Sequence, residues 1–522
     1  MNSANTLPPD TIEALQKLLA EAYNSLTESA LKISELECRN HFLSEQWRLA
    51  QHQRFAKSSE KSPDQGELFN EVEVLLDTEE PPAPEENIAP TSVKKVPRRQ
   101  PLAPELPRKT VTIDIPEAAK ACQCCGHALH KMGEEVSEKL LLIPARIEVI
   151  RTVRPKYSCR ACEKTATATP VVITPVPAAI IPKSFATPSL LAFIIAYKYQ
   201  FALPLYRLEA LFDPMGIELS RQTMSRWMLI CADVLTPLYR RMQEYLCQEA
   251  AIHADETPLT VLKEDREQCR MWVYCSGGDS PDAGHAQHNI VLYDYNASRA
   301  ASVPRQFLQG FHGFLHCDGY AAYDTLPVTT VGCWAHARRK FKDAEKTLPK
   351  GTHSPKIRWA LNSIQKLYAV EKLAQGKSPA EIFALRQSKS LPLLLEFKAW
   401  LDKSAAQSVQ SPVLQKAIGY CLNQWPKLLR YCDDGQLAID NNRAERAIKP
   451  FVIGRKNWLF SNTPSGATAS AVLYSMVESA KANGLDSRAY LEKCFEALPL
   501  LPNAESLDQL LPWNIILAEN EV

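Results

Sequence analysis

The sequence predicts a multidomain α+β protein: an α/β core with a helical insertion, preceded by a coiled coil, a zinc ribbon and a helical domain. Three observations carry this expectation. Apolar residues near the N-terminus repeat in sevens. Two Cys-x-x-Cys pairs follow a proline-rich stretch. From position 250 short strand-like runs appear, and helical patterns return at 336. At 522 residues the chain is too long for one core, since a domain takes roughly 150 residues.

Residues 1–58 read as one helix with a heptad seam. One seam position holds Ile12, Leu19, Leu26, Ile33, Asn40 and Trp47, and the other Leu15, Ala22, Ser29, Leu36, Leu43 and Ala50. Such a seam packs knobs into holes in a two-stranded coil, and a seam Asn fixes register. A single amphipathic helix lying on another domain would read similarly. The seam predicts a homo-oligomer, most simply a dimer.

Residues 59–110 carry nine prolines and dense charge. They read as a disordered or extended linker, because such a composition buries too little apolar surface to offset the entropy of ordering. Its second half, VKKVPRRQPLAPELPRKT, is basic and suits either phosphate contact or a solubilising tether.

Residues 111–175 form the expected zinc domain. Cys122 and Cys125 make one knuckle, and Cys159 and Cys162 the other, with 33 residues between the knuckles. Four thiolates in this spacing suit a closed tetrahedral Zn²⁺ site. The alternating stretch between them predicts a β-hairpin. Cys124 and His127 remain competing ligands. The odd total of fifteen cysteines and the N-terminus MNSANTLPPDTIEALQ, which lacks a signal-peptide pattern, point to reduced thiols in a cytoplasmic protein. No run of 18 apolar residues occurs, so no membrane partner is expected.

Residues 176–248 look all-helical, with a break near Pro204. MGIELSRQTMSRW reads as a glycine-containing turn, Ser220 as N-cap, and a helix. This resembles a helix-turn-helix, in which Arg221, Gln222 and Arg226 would face DNA. An ordinary helical bundle gives the same pattern.

Residues 249–335 hold the runs AIHADET, MWVYC, HNIVLYDY, GFLHCDGY and TTVGCW, with the helix-like SRAASVPRQFL before the fourth. Three strands, a helix and a fourth strand is the order of an RNase H-like core. In that fold the first and fourth strands are neighbours. Asp255 follows the apolar run of the first and Asp318 that of the fourth. Side by side, two such acids repel each other and favour a bound metal. Alternation places His253 and Asp255 on one face and Glu256 on the other. Residues 336–432 read as a helical insertion. Residues 433–484 complete the core and end on a helix with Gly484 as its stop, and 485–522 form a helical tail.

Phosphodiester chemistry needs an activated hydroxyl and a stabilised leaving oxygen. Two metal ions about 4 Å apart supply both, held by hard carboxylate oxygens. Glu445, in IDNNRAERAIKP, offers a third acid on a helix that Asp440 can cap. By itself this segment reads equally as a surface helix with ordinary ion pairs. Net charge is only +1, so basic residues matter by position. Arg338, Arg339, Arg443, Lys449, Arg455 and Lys456 lie near the expected acids and suit phosphate contact.

HADETPLTV, HCDGYAAYD, CWAHARRKF and DNNRAERAIKPFVIGRKNWLFSNT together resemble the large transposase of the bacterial insertion sequence 66 family. The N-terminal coil, RFAKSSEKS and the double Cys-x-x-Cys are similar to it too. The resemblance covers nearly the whole chain. It implies a DDE transposase with Asp255, Asp318 and Glu445 as its three acids, two Mg²⁺ (or Mn²⁺) ions and a structural Zn²⁺. It implies double-stranded element ends and target DNA as partners, accessory proteins of the same element, and a nucleoid-associated location. It also accounts for the 127 positions between Asp318 and Glu445 by the helical insertion. A structure-specific nuclease of the same fold and a DNA-binding protein with an inactive core are the competing readings.

Overall fold

The computed structural model describes residues 9–55, 110, 147–157, 172–265, 269–278, 286–349, 351–407, 411–501 and 504–517. The chain divides into two compact units, Met1–Glu80 with Pro177–Leu517, and Pro81–Val176 with Ala518–Val522. In the second unit a two-residue ladder pairs β1 (Lys156–Tyr157) antiparallel with β2 (Val172–Ile173). Arg154 Nη1 donates to Thr174 O at 2.7 Å beside it. The four cysteines predicted to hold zinc lie outside the described residues, as does nearly all of the expected linker.

In the larger unit the heptad stretch is one helix, α1 (Pro9–Phe55). Along it Leu19, Leu26, Ile33, Leu36, Leu43 and Trp47 are exposed. Its last turns dock. Glu45 is buried and accepts from Val413 N at 3.3 Å, and Arg48 Nη1 donates to Thr347 O at 3.0 Å.

Three helices follow. α2 (Pro188–Tyr199) starts at Thr187, whose hydroxyl accepts from Leu190 N. Pro204 leads α3 (Leu205–Phe212), because a fixed φ and no N–H suit a helix start. Gly216 then turns the chain with φ 76°, which a β-carbon would oppose. Ser220 caps α4 (Arg221–Leu246), accepting from Thr223 N at 3.2 Å.

Five strands form one sheet in the order β5-β4-β3-β6-β7. They are β3 (Ala251–Leu259), β4 (Cys269–Cys275), β5 (Val291–Asn296), β6 (Phe314–His316) and β7 (Thr329–Val331). β3 pairs antiparallel with β4, and β4 with β5; β3 pairs parallel with β6, and β6 with β7. The short helix α5 (Ser302–Phe307) lies between β5 and β6 in the chain, and its Phe307 stacks on Tyr274 at 4.0 Å.

After β7 the chain becomes helical: α6 (Trp334–Lys346), α7 (Pro355–Ala374), α8 (Pro379–Leu385), α9 (Leu391–Ala406), α10 (Pro412–Asn423) and α11 (Trp425–Leu429). These helices build a second core of their own. The scattered tryptophans of the sequence meet there. Trp359 stacks on Trp400 at 4.8 Å, and Trp334 and Trp425 both pack against Phe397.

The chain then returns to the sheet with α12 (Asn442–Trp458), α13 (Pro464–Ala482) and α14 (Ser487–Ala497). The edge of β5 is protected by α13. Its Ser479 and Ser475 hydroxyls accept from Val291 N and Tyr293 N at 2.9 and 2.8 Å, so the outer strand exposes no free donors there. Gly484 ends α13 in the left-handed region. No helix among the described residues is long and apolar enough to cross a membrane.

Candidate active site

The pleat of β3 divides its polar residues between two faces. His253, Asp255 and Thr257 point toward α12: His253 Nδ1 lies 3.0 Å from Asn441 Oδ1, and Thr257 Oγ1 accepts from Arg455 at 3.0 Å. Glu256 points the other way. Arg299 Nε donates to it at 2.9 Å and Tyr323 Oη at 3.0 Å. Asp255 therefore faces the helix expected to bring the third acid, and Glu256 is held by Arg299 and Tyr323 while its charge still acts on Asp255.

β6 pairs in parallel with the start of β3, with His316 opposite His253, and the two imidazoles stack at 4.2 Å. Two residues on, Asp318 leaves the strand, and its carboxylate accepts from Tyr320 N at 2.9 Å. Gly319 allows a close approach here. A β-carbon would meet Tyr420 Cε2 at 3.0 Å, so the turn after Asp318 lies directly against α10.

Glu445 sits in the first turn of α12 and is only 1% exposed. The helix starts differently from the sequence expectation. Its cap is Asn441, with no side-chain capping bond. The Asn441 amide is used across the fold, donating to Ala254 O at 2.8 Å. Asp440 still contributes, accepting from Asn442 N at 3.1 Å. Asn441 thus anchors the start of α12 to the strand that carries Asp255. The Glu445 carboxylate meets Arg339 Nη2 at 3.3 Å on one oxygen and His336 Nδ1 at 3.3 Å on the other.

The electrostatics follow from this crowding. Burial, then the charges of Glu256, Glu445 and Asp318, hold the Asp255 carboxyl well above the usual range. Burial pushes Glu445 up to about 7, with Arg339 opposing and Asp440 and Asp318 adding to the rise. Partly buried acids that repel one another are stabilised by a divalent cation, and the Oε1 of Glu445 has the His336 imidazole 3.3 Å away without a well-formed hydrogen bond. The donors are carboxylate oxygens, which suit Mg²⁺ or Mn²⁺.

The basic candidates separate by environment. Arg221, Gln222 and Arg226 are exposed on the first turns of α4. Arg339 is at the acids, and the neighbouring Arg338 is buried. Arg443, expected to face phosphate, is turned inward. It is buried, and its Nε donates to Gly277 O at 3.2 Å and its Nη2 to Ser276 O at 3.2 Å. Arg455 reaches Thr257 and Pro258 O, tying the far end of α12 to β3. Lys449 and Lys456 are half-buried on the same helix.

A family model described as "Transposase IS66 family" matches residues 183–469, which include all three acids. The chain belongs to the IS66 transposase family. Within this family member, "zinc-finger binding domain of transposase IS66" matches 119–163 and "IS66 C-terminal element" matches 475–513. "Transposase C of IS166 homeodomain" matches 43–111. The zinc-finger match supports a structural zinc. Two uncharacterized proteins of Sinorhizobium fredii are similar. One, y4jD, is 37% identical over 428 residues, 79% of this chain and 81% of the relative. Another, y4hP, is 32% identical over 475 residues, 86% and 84% respectively.

From the sequence, His336 reads as a DNA contact or a cap for the insertion, and nothing singles out Cys333. Both surround Glu445: the ligand atoms of Cys333, His336 and Glu445 all lie within 4.8 Å of one another. The signal was present as Cys-Trp-Ala-His, a spacing that puts the two side chains on one side of a helix turn.

Proposed function

We propose that this IS66 family member is a DDE-type transposase that binds the ends of its element, cleaves the DNA there and joins the ends to a target. What carries the reading is that Asp255 on β3, Asp318 after β6 and Glu445 on α12 are near enough for their charges to act on one another. The strand order, antiparallel on one side of β3 and parallel on the other, supports an RNase H-like core. Asp255, Asp318 and Glu445 would hold two Mg²⁺ or Mn²⁺ ions. Bound there, the ions supply the charge that activates a hydroxyl and stabilises a leaving oxygen.

The protein's own groups set up that chemistry. Asn441 fixes the start of α12 against β3, and Arg455 fixes its far end, so Glu445 is presented to Asp255 at a set height. Tyr320 N and the packing of Gly319 fix the Asp318 turn. Arg339 limits the repulsion that Glu445 would otherwise exert. Arg221, Gln222 and Arg226 present an exposed polar helix start for double-stranded DNA, in the manner of a recognition helix. The helical stretch 336–432 would form an insertion between the second and third acids. Cys122, Cys125, Cys159 and Cys162 would hold the structural Zn²⁺. Dimerisation through α1, which would suit an enzyme that must bring two ends together, and accessory proteins of the same element complete the reading, for work on DNA inside a bacterial cell.

The test is purified protein with Mg²⁺ and labelled element-end DNA. Nicking at the element boundary that requires the metal supports the function. Specific end binding with no cleavage or joining under any divalent ion would replace it with a DNA-binding role.

A further inference from the structure

The N-termini of α6 and α12 meet beside Glu445. Cys333 is the cap residue of α6, fully buried, with no side-chain capping bond to its own helix. Its Sγ instead accepts from Asn441 N, the cap of α12, at 3.2 Å. His336 lies one turn into α6, and Glu445 one turn into α12. The ligand atoms of the three lie within 4.8 Å of one another. Two of those atoms, His336 Nδ1 and Glu445 Oε1, are buried and lie 3.3 Å apart without the geometry of a hydrogen bond, and the Glu445 side chain is 1% exposed. Arg339 engages only the other carboxylate oxygen. So a thiol, an imidazole and a carboxylate oxygen converge, and the last two face each other without a well-formed hydrogen bond.

We propose that Cys333, His336 and Glu445 form a binding site for a borderline-soft divalent ion of the Zn²⁺ class, whose occupation withdraws Glu445 from the catalytic acids and inhibits the enzyme. The inhibitory half rests on the catalytic role of Glu445 proposed above. The donor set decides the class of ion. Sulfur and imidazole nitrogen select Zn²⁺ over Mg²⁺, whereas carboxylates alone favour the hard ion. Three protein ligands leave a fourth position for water, the pattern of an exchangeable site rather than a closed structural one. Binding takes the thiolate form of Cys333 and releases its proton to solvent. Glu445 cannot serve both ion classes in one geometry, so the two metals compete through a single side chain.

The experiment uses the full chain. Wild type, His336→Gln and Cys333→Ser are equilibrated with Zn²⁺, freed of loosely held ion, and their zinc content is measured per chain. Wild type should hold one more zinc than either variant, because the zinc-finger region is untouched in all three. His336→Gln changes a side chain at the margin of the core and serves if Cys333→Ser does not fold. Element-end nicking in Mg²⁺ is then titrated with Zn²⁺. Inhibition of wild type should need about tenfold less zinc than inhibition of His336→Gln. Equal zinc content in wild type and His336→Gln overturns the site, whatever the nicking shows. An extra zinc in wild type without any Mg²⁺-dependent nicking supports the site and overturns the proposed function.

Discussion

Asp255 on β3 and Glu445 on α12, far apart in sequence, face each other closely enough that the charge of Glu445 adds to burial and to Glu256 in raising the Asp255 carboxyl. The fold brings the two acids together through Asn441, which caps α12 and donates to the carbonyl of Ala254, the residue before Asp255.

Replacing Asp255, Asp318 or Glu445 by its amide should abolish cleavage and spare end binding. The amides keep shape and remove the charge that holds a divalent ion. In the proposed reading end recognition rests on other residues, and removing a negative charge near DNA should not weaken it. Gel-shift affinity is measured beside Mg²⁺-dependent nicking. Nicking should fall by several orders of magnitude with affinity unchanged. Glu256→Gln is the comparison, since Glu256 is held by Arg299 and Tyr323 although its charge also acts on Asp255. Normal cutting by Glu445→Gln alongside failure of Glu256→Gln would show that the third acid is wrongly assigned.

Burial gives Glu445 a pH signature in stability. Its carboxyl is pushed up to about 7 from an ordinary 4.5. Below the lower value both folded and unfolded chains hold the proton, and stability does not depend on this group. Between the two values only the folded chain holds it, so stability falls as pH rises. Above 7 both are ionised, and the folded state carries a penalty on the order of 3 kcal/mol. Without added divalent ions, Glu445→Gln should therefore melt above wild type at pH 8 and level with it near pH 4.5. Adding Mg²⁺ at pH 8 should raise wild type alone. Parallel melting curves at all pH values would show that Glu445 is not strained by its burial.

How much of this was legible in sequence depends on where each signal lives. Asp255 and Asp318 were visible because each follows an apolar strand run, and strand order makes those runs neighbours. Glu445 was not visible from its own segment. A buried glutamate among Arg443, Arg446 and Lys449 looks like a surface ion pair, and only the resemblance of the longer motif pointed to it. What buries it is the bond from Asn441 to Ala254 O, a contact with no local signature. Arg443 was misjudged for the same reason. Its partners are carbonyls at the end of β4, which no periodicity in α12 announces.

Arg443 and Arg226 should accordingly fail in different assays. Arg443→Met leaves the carbonyls of Ser276 and Gly277 without a donor and should destabilise the fold by about 3 kcal/mol. Arg226 is exposed on α4. Its replacement by Ala should leave melting unchanged, weaken DNA binding, and lower the salt dependence by about one counterion. Thermal melting and gel shifts across a salt series separate the two. Loss of stability in Arg226→Ala with full DNA binding would remove α4 from the recognition surface.

The long helix α1 supplies the last expectation. Leu26 and Ile33 are 70% and 57% exposed, and Leu19, Leu36 and Leu43 are exposed along with them. A stripe of this size is costly in water, and its seven-residue spacing matches a second copy of itself. Deleting the helix would be a poor test, because its last turns also support the fold through Glu45 and Arg48. Charging the free part is cleaner. Leu26→Glu with Ile33→Glu touches no buried contact of the protomer and places like charges opposite each other in a parallel pair. Sedimentation should show wild type as a dimer and the double variant as a monomer, with the melting of the sheet-containing core unchanged. An unaltered oligomeric state in the double variant would mean that the seam docks a different chain, and the pairing of two protomers would then have to come from elsewhere in the molecule.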